Sequence, residues 1–172
     1  MSSKLDLKDI QLPVVTEDGV FLAYYSEHGL SGLDFPSARN SGKVGTAEVS
    51  DDVRSWHRQT TAAVKNALSG RTPTDLPPLD LSCGTEFQLS VWTSLLKIKP
   101  GRTQSYGEIA KSIKKPKAMR AVGGACGANP IPLLVPCHRV LAANGKIGGF
   151  SGGLGWKEKL LAREGGKHCR VT

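Results

Sequence analysis

Two capping boxes in the second half of the chain fix where two helices begin. Thr85 is followed three positions later by Gln88, and Ser105 by Glu108. In such a box the first side chain accepts a hydrogen bond from the backbone of the fourth residue, whose own side chain returns one. Apolar residues follow each box at helical spacing, and Pro100-Gly101 separates the two segments. The second half of the chain is therefore predicted to be mostly helical.

A third helix is predicted to begin at Pro116, which suits a first helical turn, and to stop before Asn129-Pro130. Because a lysine-rich turn joins it to the helix before it, the pair indicates a helix-turn-helix. Gly123 and Gly124 lie in its interior, where each costs ~1 kcal/mol relative to alanine. Two explanations remain open: close packing against a neighbouring helix, or close approach to a DNA groove, with Arg120 as the side chain that reaches out.

The first half of the chain combines strand and helix signals. Residues 20–25 are rich in aromatic and β-branched side chains, and a polar turn separates them from the run 30–35, which indicates a β-hairpin. Ser50 can cap a helix that ends near Gly70, because apolar residues between them recur at helical spacing. Residues 71–81 contain three prolines and are the expected linker between the two halves.

These elements predict an α/β (α+β) fold. Residues 1–80 would form a small N-terminal domain with a β-hairpin or sheet and a helix, ending in the proline-rich linker. Residues 81–172 would form a mostly helical C-terminal domain with a winged-helix-like helix-turn-helix. The sequence contains no run of about 18 apolar residues, so no membrane span is expected. The N-terminus lacks the apolar region of a secretion signal, so we expect an intracellular protein, cytoplasmic in a prokaryote or nuclear in a eukaryote.

Charge is distributed unevenly along the chain. Residues 1–84 carry 8 Lys/Arg and 11 Asp/Glu, whereas residues 85–172 carry 15 Lys/Arg and 4 Asp/Glu. A basic half beside a mildly acidic half indicates a polyanionic partner for the C-terminal part. Nucleic acid is the partner that this asymmetry favours, and solubility alone is the alternative.

The stretch Pro136-Cys137-His138-Arg139 carries the clearest chemistry. A thiol has an ordinary pKa near ~8.5, but a neighbouring imidazole can take its proton and leave a soft nucleophile. The apolar run 133–135 before it is expected to be a short strand. The four cysteines of the chain include no CxxC pair, so we expect free thiols.

Several motifs then occur in a fixed order and spacing. They are Tyr106, residues 120–125 (RAVGGA), Asn129-Pro130, residues 136–140 (PCHRV), residues 150–153 (FSGG) and residues 157–165 (KEKLLAREG). Together they resemble the O6-alkylguanine-DNA alkyltransferase family over about half of the chain. The resemblance implies DNA repair by removal of an alkyl group from O6 of guanine in duplex DNA, with O4 of thymine as a further candidate position. The base would rotate out of the stack, and the alkyl group would move irreversibly to the protein's own cysteine, so that each molecule acts once.

The resemblance also implies roles for the residues around the cysteine. Cys137 would be the alkyl acceptor and His138 its base, directly or through one water, while Glu164 orients the imidazole. Asn129 would brace the turn that carries the cysteine. Tyr106 would donate a hydrogen bond to a ring nitrogen of the flipped guanine, so that negative charge need not accumulate as the alkyl group leaves.

A second set of implied residues would contact DNA. Arg120 would enter the space vacated by the base, with a phosphate contact as the alternative. Ser151 would donate a hydrogen bond near O6, and Val140 and Phe150 would line the pocket. Lys115 would contact a backbone phosphate. Gly124 would allow the close approach of the helix to DNA.

Some features depart from the family's pattern. Phe150 occupies a position where many members have tyrosine, and Cys126 lies in the recognition helix, where we expect it to pack. Some members hold zinc in the N-terminal domain, but this chain lacks the ligands, so we expect no metal and no cofactor. The expected partner is double-stranded DNA containing O6-alkylguanine, bound by a monomer.

Three other functions compete with this interpretation. A Cys-His-Glu hydrolase would need an oxyanion hole, which no motif clearly supplies. A non-catalytic protein that binds alkylguanine in DNA would lack the cysteine, yet Cys137 is present. A plain helix-turn-helix regulator would bind a defined operator as a dimer.

Overall fold

The N-terminal part consists of an antiparallel sheet with strand order β1-β2-β3 and one long helix. The structure, a computed structural model, describes residues 10–38, 48–150 and 152–165. The elements are β1 (Ile10–Thr16), β2 (Gly19–Ser26), β3 (Gly29–Asp34) and α1 (Asp51–Leu68). The predicted hairpin is therefore present as β2 and β3. In β2 the buried side chains are Phe21, Ala23 and Tyr25, so one face of the sheet enters the core.

Strand β1 was not expected from the sequence. It pairs with β2 along its whole length, from Ile10 opposite Tyr25 to Thr16 opposite Gly19. Pro13 lies within β1 and weakens the strand signal, since proline cannot donate to a strand ladder. An edge position tolerates it, and β1 is an edge strand in this sheet.

Helix α1 begins and ends where the sequence indicates. The Ser50 hydroxyl accepts a hydrogen bond from the backbone of Val53. Asp51 and Asp52 lie in the first turn, where their negative charges interact favourably with the helix dipole. Gly70, with φ of +73°, follows the last turn and provides the left-handed conformation that ends the helix.

The C-terminal part is mostly helical, as predicted. Its elements are α2 (Glu86–Leu95), β4 (Gln104–Ser105), α3 (Tyr106–Ser112), α4 (Met119–Gly127), β5 (Val140–Leu141) and α5 (Leu154–Arg163). Both capping boxes are formed, with both reciprocal hydrogen bonds in each. The prediction for Pro116 was wrong, because α4 begins only at Met119. Pro116 lies instead in the turn that the Ala118–Lys115 backbone hydrogen bond closes.

The short parallel pair β4–β5 brings two distant segments together. Gln104 lies opposite Val140, and Ser105 lies opposite Leu141. Since Tyr106 follows β4 directly and the cysteine turn precedes β5 directly, this pairing fixes the start of α3 beside that turn.

The two halves of the chain share one apolar core. The ring of Phe35 from the N-terminal part packs against Phe150 at 5.6 Å and Trp156 at 5.0 Å between ring centroids. The backbone of Leu33 donates to the carbonyl of Pro130 at 3.0 Å, just before the cysteine turn. Within the described residues, no helix is long and apolar enough to cross a bilayer.

Candidate active site

Cys137 begins a single 3₁₀ turn, Cys137–Arg139, that lies inside the protein. Every residue from 131 to 140 is buried, and Cys137 itself is 4 % exposed. Burial raises the pKa of the Cys137 thiol, because a thiolate is costly in an apolar environment. A hydrogen bond from the Asn129 side chain and the positive charge of Lys157 oppose that rise. At neutral pH the thiol is therefore a poor nucleophile until a neighbouring base takes its proton.

The apolar run before the cysteine is a turn, so the expectation of a short strand was wrong. Leu133 has φ of +76°, a left-handed conformation that is costly for a residue with a Cβ. The backbone of Val135 donates to the carbonyl of Ile131 at 2.9 Å and closes the turn. A left-handed residue cannot continue a strand, whatever its side chain favours.

Asn129 holds both ends of this turn. Its Nδ2 donates to the carbonyl of Val135 at 2.8 Å, and its Oδ1 accepts from the backbone of Ile131 at 3.0 Å. Because these bonds are buried, their loss would leave backbone groups without partners. The two hydrogen bonds fix the backbone that leads into Cys137.

His138, Arg139 and Glu164 form a buried polar cluster. His138 Nε2 lies 2.9 Å from Glu164 Oε1, and both side chains are at most 3 % exposed. Arg139 Nη2 donates to the same Oε1 at 2.7 Å, and Arg139 Nε donates to Oε2 at 3.0 Å. Although burial alone would raise it, the hydrogen bonds from His138 and Arg139 bring the pKa of Glu164 down to about 2. Glu164 is therefore an anion at neutral pH.

The ionised carboxylate fixes the tautomer of His138. Nε2 must carry the proton that Glu164 accepts, so Nδ1 presents a lone pair. Nδ1 is buried and has no hydrogen-bond partner among the described residues. Burial lowers the pKa of His138, while Glu164 acts to raise it. The ring is accordingly neutral at pH 7 and can accept a proton at Nδ1.

Lys157 is a buried lysine to which the sequence interpretation assigned no role. It is 0 % exposed, and its Nζ donates to the carbonyl of Val140 at 2.7 Å. Burial lowers the pKa of Lys157, and negative charge on Cys137 or Cys126 opposes that change. The sequence did contain a signal for this burial. Lys157 precedes Leu160 and Leu161 by three and four residues, which places it on the buried face of α5.

Tyr106, the first residue of α3, lies half-buried beside the thiols. A Cβ at Gly148 would be 2.6 Å from the Tyr106 hydroxyl oxygen, so the loop after β5 passes directly over the phenol. Burial, and then the nearby Cys126 and Cys137, raise the pKa of Tyr106. The phenol therefore keeps its proton at neutral pH and can act as a hydrogen-bond donor.

Cys126 is a second buried thiol near the first. It lies on the inner face of α4 with Val122 and Ala125. Burial, together with Cys137, raises the pKa of Cys126 to about 12. Unlike Cys137, it has no adjacent histidine in the sequence, so it stays protonated.

The outer face of α4 carries little bulk. Trp92 Nε1 donates to the carbonyl of Ala125 at 2.8 Å and fixes the inner face against α2. Arg120 and Gly124 lie on the exposed side, and apart from the chain neighbours of Gly124 and the backbone of α4, no described atom lies within 4 Å of the position that a Cβ would occupy on Gly124. Among the described residues, packing against a neighbouring helix therefore does not account for Gly124.

The other predicted residues are found in three places. Val140 is buried at the end of the cysteine turn, and Phe150 packs between Phe35 and the His138 ring, with 6.4 Å between the centroids of Phe150 and His138. Lys115 is exposed in the turn before α4, with Nζ 5.3 Å from the centroid of the Phe87 ring. Ser151 lies outside the described residues. No group of three or more potential metal ligands occurs within the described ranges.

Comparison with known proteins shows which family this chain resembles. The family described as "6-O-methylguanine DNA methyltransferase, DNA binding domain" matches residues 86–166. The methylated-DNA–protein-cysteine methyltransferase of Methanosarcina acetivorans is 41 % identical over 150 residues, which cover 86 % of this chain and 92 % of the relative. The protein of the same name from Mycobacterium leprae is 56 % identical over 94 residues, 55 % of each chain.

Solved structures give the same result over nearly the whole fold. The crystal structure of Mycobacterium tuberculosis OGT in complex with DNA matches with a TM-score of 0.72 and 36 % identity, covering 88 % of this chain and 90 % of the other. The O6-methylguanine methyltransferase of the same organism matches with a TM-score of 0.69 and 33 % identity, over 90 % and 91 % of the two chains. The arrangement of a buried cysteine, a histidine and a glutamate thus occurs in a chain that belongs to the O6-alkylguanine-DNA alkyltransferase family, the methylated-DNA–protein-cysteine methyltransferases.

Proposed function

We propose that this protein repairs DNA by transferring an alkyl group from O6 of guanine to its own Cys137. The observation that carries the proposal is the buried cysteine followed directly by a histidine whose Nε2 is fixed by an anionic glutamate at 2.9 Å. The relatives named as methylated-DNA–protein-cysteine methyltransferases support the same reaction. DNA is the proposed partner, since a structural relative was solved in complex with DNA.

The chemistry begins with proton removal. His138 Nδ1 takes the proton of the Cys137 thiol, directly or through one water, and Glu164 stabilises the resulting imidazolium. The thiolate attacks the O6-alkyl carbon, so a C–S bond forms as the C–O6 bond breaks. The bonding electrons go to the guanine, where the hydrogen bond from the Tyr106 phenol to a ring nitrogen limits the charge that accumulates.

The product is a thioether, which offers no leaving group that water can displace easily. Each molecule is therefore consumed by one transfer, and the reaction is stoichiometric. A hydrolase would require water to release the cysteine adduct, and the relatives described above are all named or titled for methyl transfer or DNA binding.

DNA recognition would use the outer face of α4. Arg120 would fill the space that the flipped guanine leaves, and Gly124 would let the helix backbone approach the groove. Lys115 would meet a backbone phosphate. Val140, Phe150 and Ser151 would border the base pocket, and Asn129 would keep the cysteine turn in place. We propose that a monomer acts, with the N-terminal domain (residues 1–80) as support for the reactive domain (residues 81–172).

The decisive test is the intact mass of the protein after mixing with a duplex that contains one O6-methylguanine. We expect the gain of one methyl group per protein molecule, mapped by proteolysis to the peptide that contains Cys137. An undamaged duplex of the same sequence is the control. Absence of the methyl adduct under conditions where the protein binds the damaged duplex would refute the proposed function.

A further inference from the structure

The residue that precedes Glu164 is tied to the N-terminal part of the chain. Arg163 donates from Nη1 and Nη2 to the two carboxylate oxygens of Asp18, at 2.7 and 2.8 Å. Lys159 Nζ lies 2.9 Å from Asp18 Oδ1, and Arg163 Nη1 also donates to the carbonyl of Leu68 at 3.2 Å. One carboxylate in the turn between β1 and β2 thus holds two basic side chains of α5.

The backbone makes a second contact at the same place. Gly70 has φ of +73°, and a Cβ there would lie 2.3 Å from the carbonyl oxygen of Arg163 and 3.3 Å from Cα of Glu164. The end of α1 therefore lies directly against the end of α5, at a distance that only glycine permits.

Glu164 faces the reactive cluster on its other side. Its carboxylate binds His138 and Arg139, and Gly101 N donates to Oε2 over a long 3.5 Å. The N-terminal part thus binds Arg163, and the reactive cluster binds the next residue, Glu164. A displacement of Arg163 by about 1 Å would move the carboxylate by a comparable amount, and such misplacements cost up to roughly a hundredfold in rate.

We propose that Asp18, with Gly70, positions Glu164 and through it His138, so that the N-terminal part sets the efficiency of proton removal from Cys137. This rests on the proposed function, because it concerns the same transfer reaction. Asp18 touches neither substrate nor thiol and is a positioning residue. The charged groups that face His138 are Lys157 of α5, Glu164 directly after α5, and the adjacent Arg139, and the first two belong to the segment that Asp18 holds.

The test compares Asp18→Asn with wild type in the pH dependence of methyl transfer from an O6-methylguanine duplex. Asparagine keeps the size of the side chain but removes the charge that binds Arg163 and Lys159. We expect transfer to be about three- to thirtyfold slower at neutral pH, within the range that misplacement allows. The difference should shrink at alkaline pH, because hydroxide then ionises Cys137 without help from His138.

Asp34→Asn is the matched control. It removes a carboxylate that accepts a hydrogen bond from Tyr24 at 2.6 Å in the same sheet but forms no hydrogen bond or ion pair with the described residues of α5. Its pH profile should match that of wild type. Arg163→Lys keeps the charge with fewer donors, so its rate should fall between those of wild type and Asp18→Asn. A lower melting temperature for Asp18→Asn with an unchanged pH profile would overturn the proposal, as would an equal effect of Asp34→Asn.

A readout independent of the reaction separates this proposal from the proposed function. The ¹⁵N resonances of the His138 ring report its hydrogen bond to Glu164. They should shift in Asp18→Asn and not in Asp34→Asn, even if wild type transferred no methyl group. Unchanged resonances in Asp18→Asn would refute the positioning role, while a wild-type protein that never acquires a methyl group would refute the function alone.

Discussion

The cysteine turn and the outer face of α4 are close in sequence and opposite in environment. All residues from 131 to 140 are buried, whereas Arg120, Ala121 and Gly124 on α4 are exposed. The proposed nucleophile, Cys137, is therefore inside, where a neutral imidazole and an anionic carboxylate can control its proton. The proposed recognition surface is outside and carries little bulk, so that a partner's backbone could come close. A base inside a duplex can reach the first region only if it leaves the stack, which agrees with the proposed base flipping.

The largest effect should come from the nucleophile itself. Cys137→Ala should abolish methyl transfer and keep DNA binding, because the outer face of α4 is unchanged. The measurement is the methyl adduct by mass spectrometry beside the dissociation constant for the duplex. Cys126→Ala is the matched control, a second buried thiol without an adjacent histidine, and should still accept a methyl group at Cys137. Transfer that survives in Cys137→Ala would assign the acceptor to another residue.

The second largest effect should come from His138, the proposed general base. His138→Gln can keep the hydrogen bond to Glu164 but cannot accept the thiol proton, so transfer at neutral pH should fall by roughly 10²–10⁴-fold. The loss should diminish as pH rises toward the raised pKa of the Cys137 thiol, because hydroxide then replaces His138 in proton removal. In wild type, burial holds the pKa of His138 below its ordinary 6.5, so activity should persist below that pH and fall on further acidification.

The control for this variant is its melting temperature, because the Arg139–Glu164 pair stays intact and the fold should survive. A single-turnover rate that His138→Gln leaves unchanged at every pH would exclude His138 as the base.

The third effect addresses the exposed face. Arg120→Ala should slow repair of duplex DNA more than reaction with a free alkylated base, since only the duplex needs a group to fill the vacated space. A stacked guanidinium contributes ~0.5–2 kcal/mol, which corresponds to at most roughly thirtyfold. Single-turnover rates on both substrates measure the difference. Equal losses on both would contradict insertion into the duplex and favour a general structural role.

The smallest effect is expected from a substitution of Gly124 on the outer face of α4. Gly124→Gln should raise the melting temperature by at most about 2–4 °C, because glycine costs ~1 kcal/mol relative to alanine in a helix, glutamine recovers part of this cost, and the space around Gly124 is open. The same change should weaken DNA binding, since the longer side chain would meet the groove. Gly155→Gln is the matched control: Gly155 is also exposed, in α5, with open space around it, and its substitution should leave affinity unchanged. Unaltered affinity in Gly124→Gln would show that the helix does not approach DNA closely.

Local signals predicted much of the fold. The two capping boxes, the Ser50 cap and the hairpin were all confirmed, because hydrogen bonds between near neighbours define them. The predictions for Pro116 and for the run 133–135 were wrong. A proline is tolerated in a turn as well as in a first helical turn, and apolar side chains favour a strand until a left-handed residue excludes it.

The sequence by itself determined the chemical groups of this protein: a cysteine next to a histidine, a bare helix after a lysine-rich turn, and a basic C-terminal half. Their types and spacing are written in the chain and depend on no long-range contact. The resemblance implied that Glu164 orients His138, and the tertiary structure brings the two side chains to 2.9 Å. Only the tertiary structure decided that buried Lys157 binds the carbonyl of Val140 and that Asp18 holds the end of α5. Such pairings join residues far apart in the chain, and the shared core of the two halves, not any local pattern, brings them within hydrogen-bond distance.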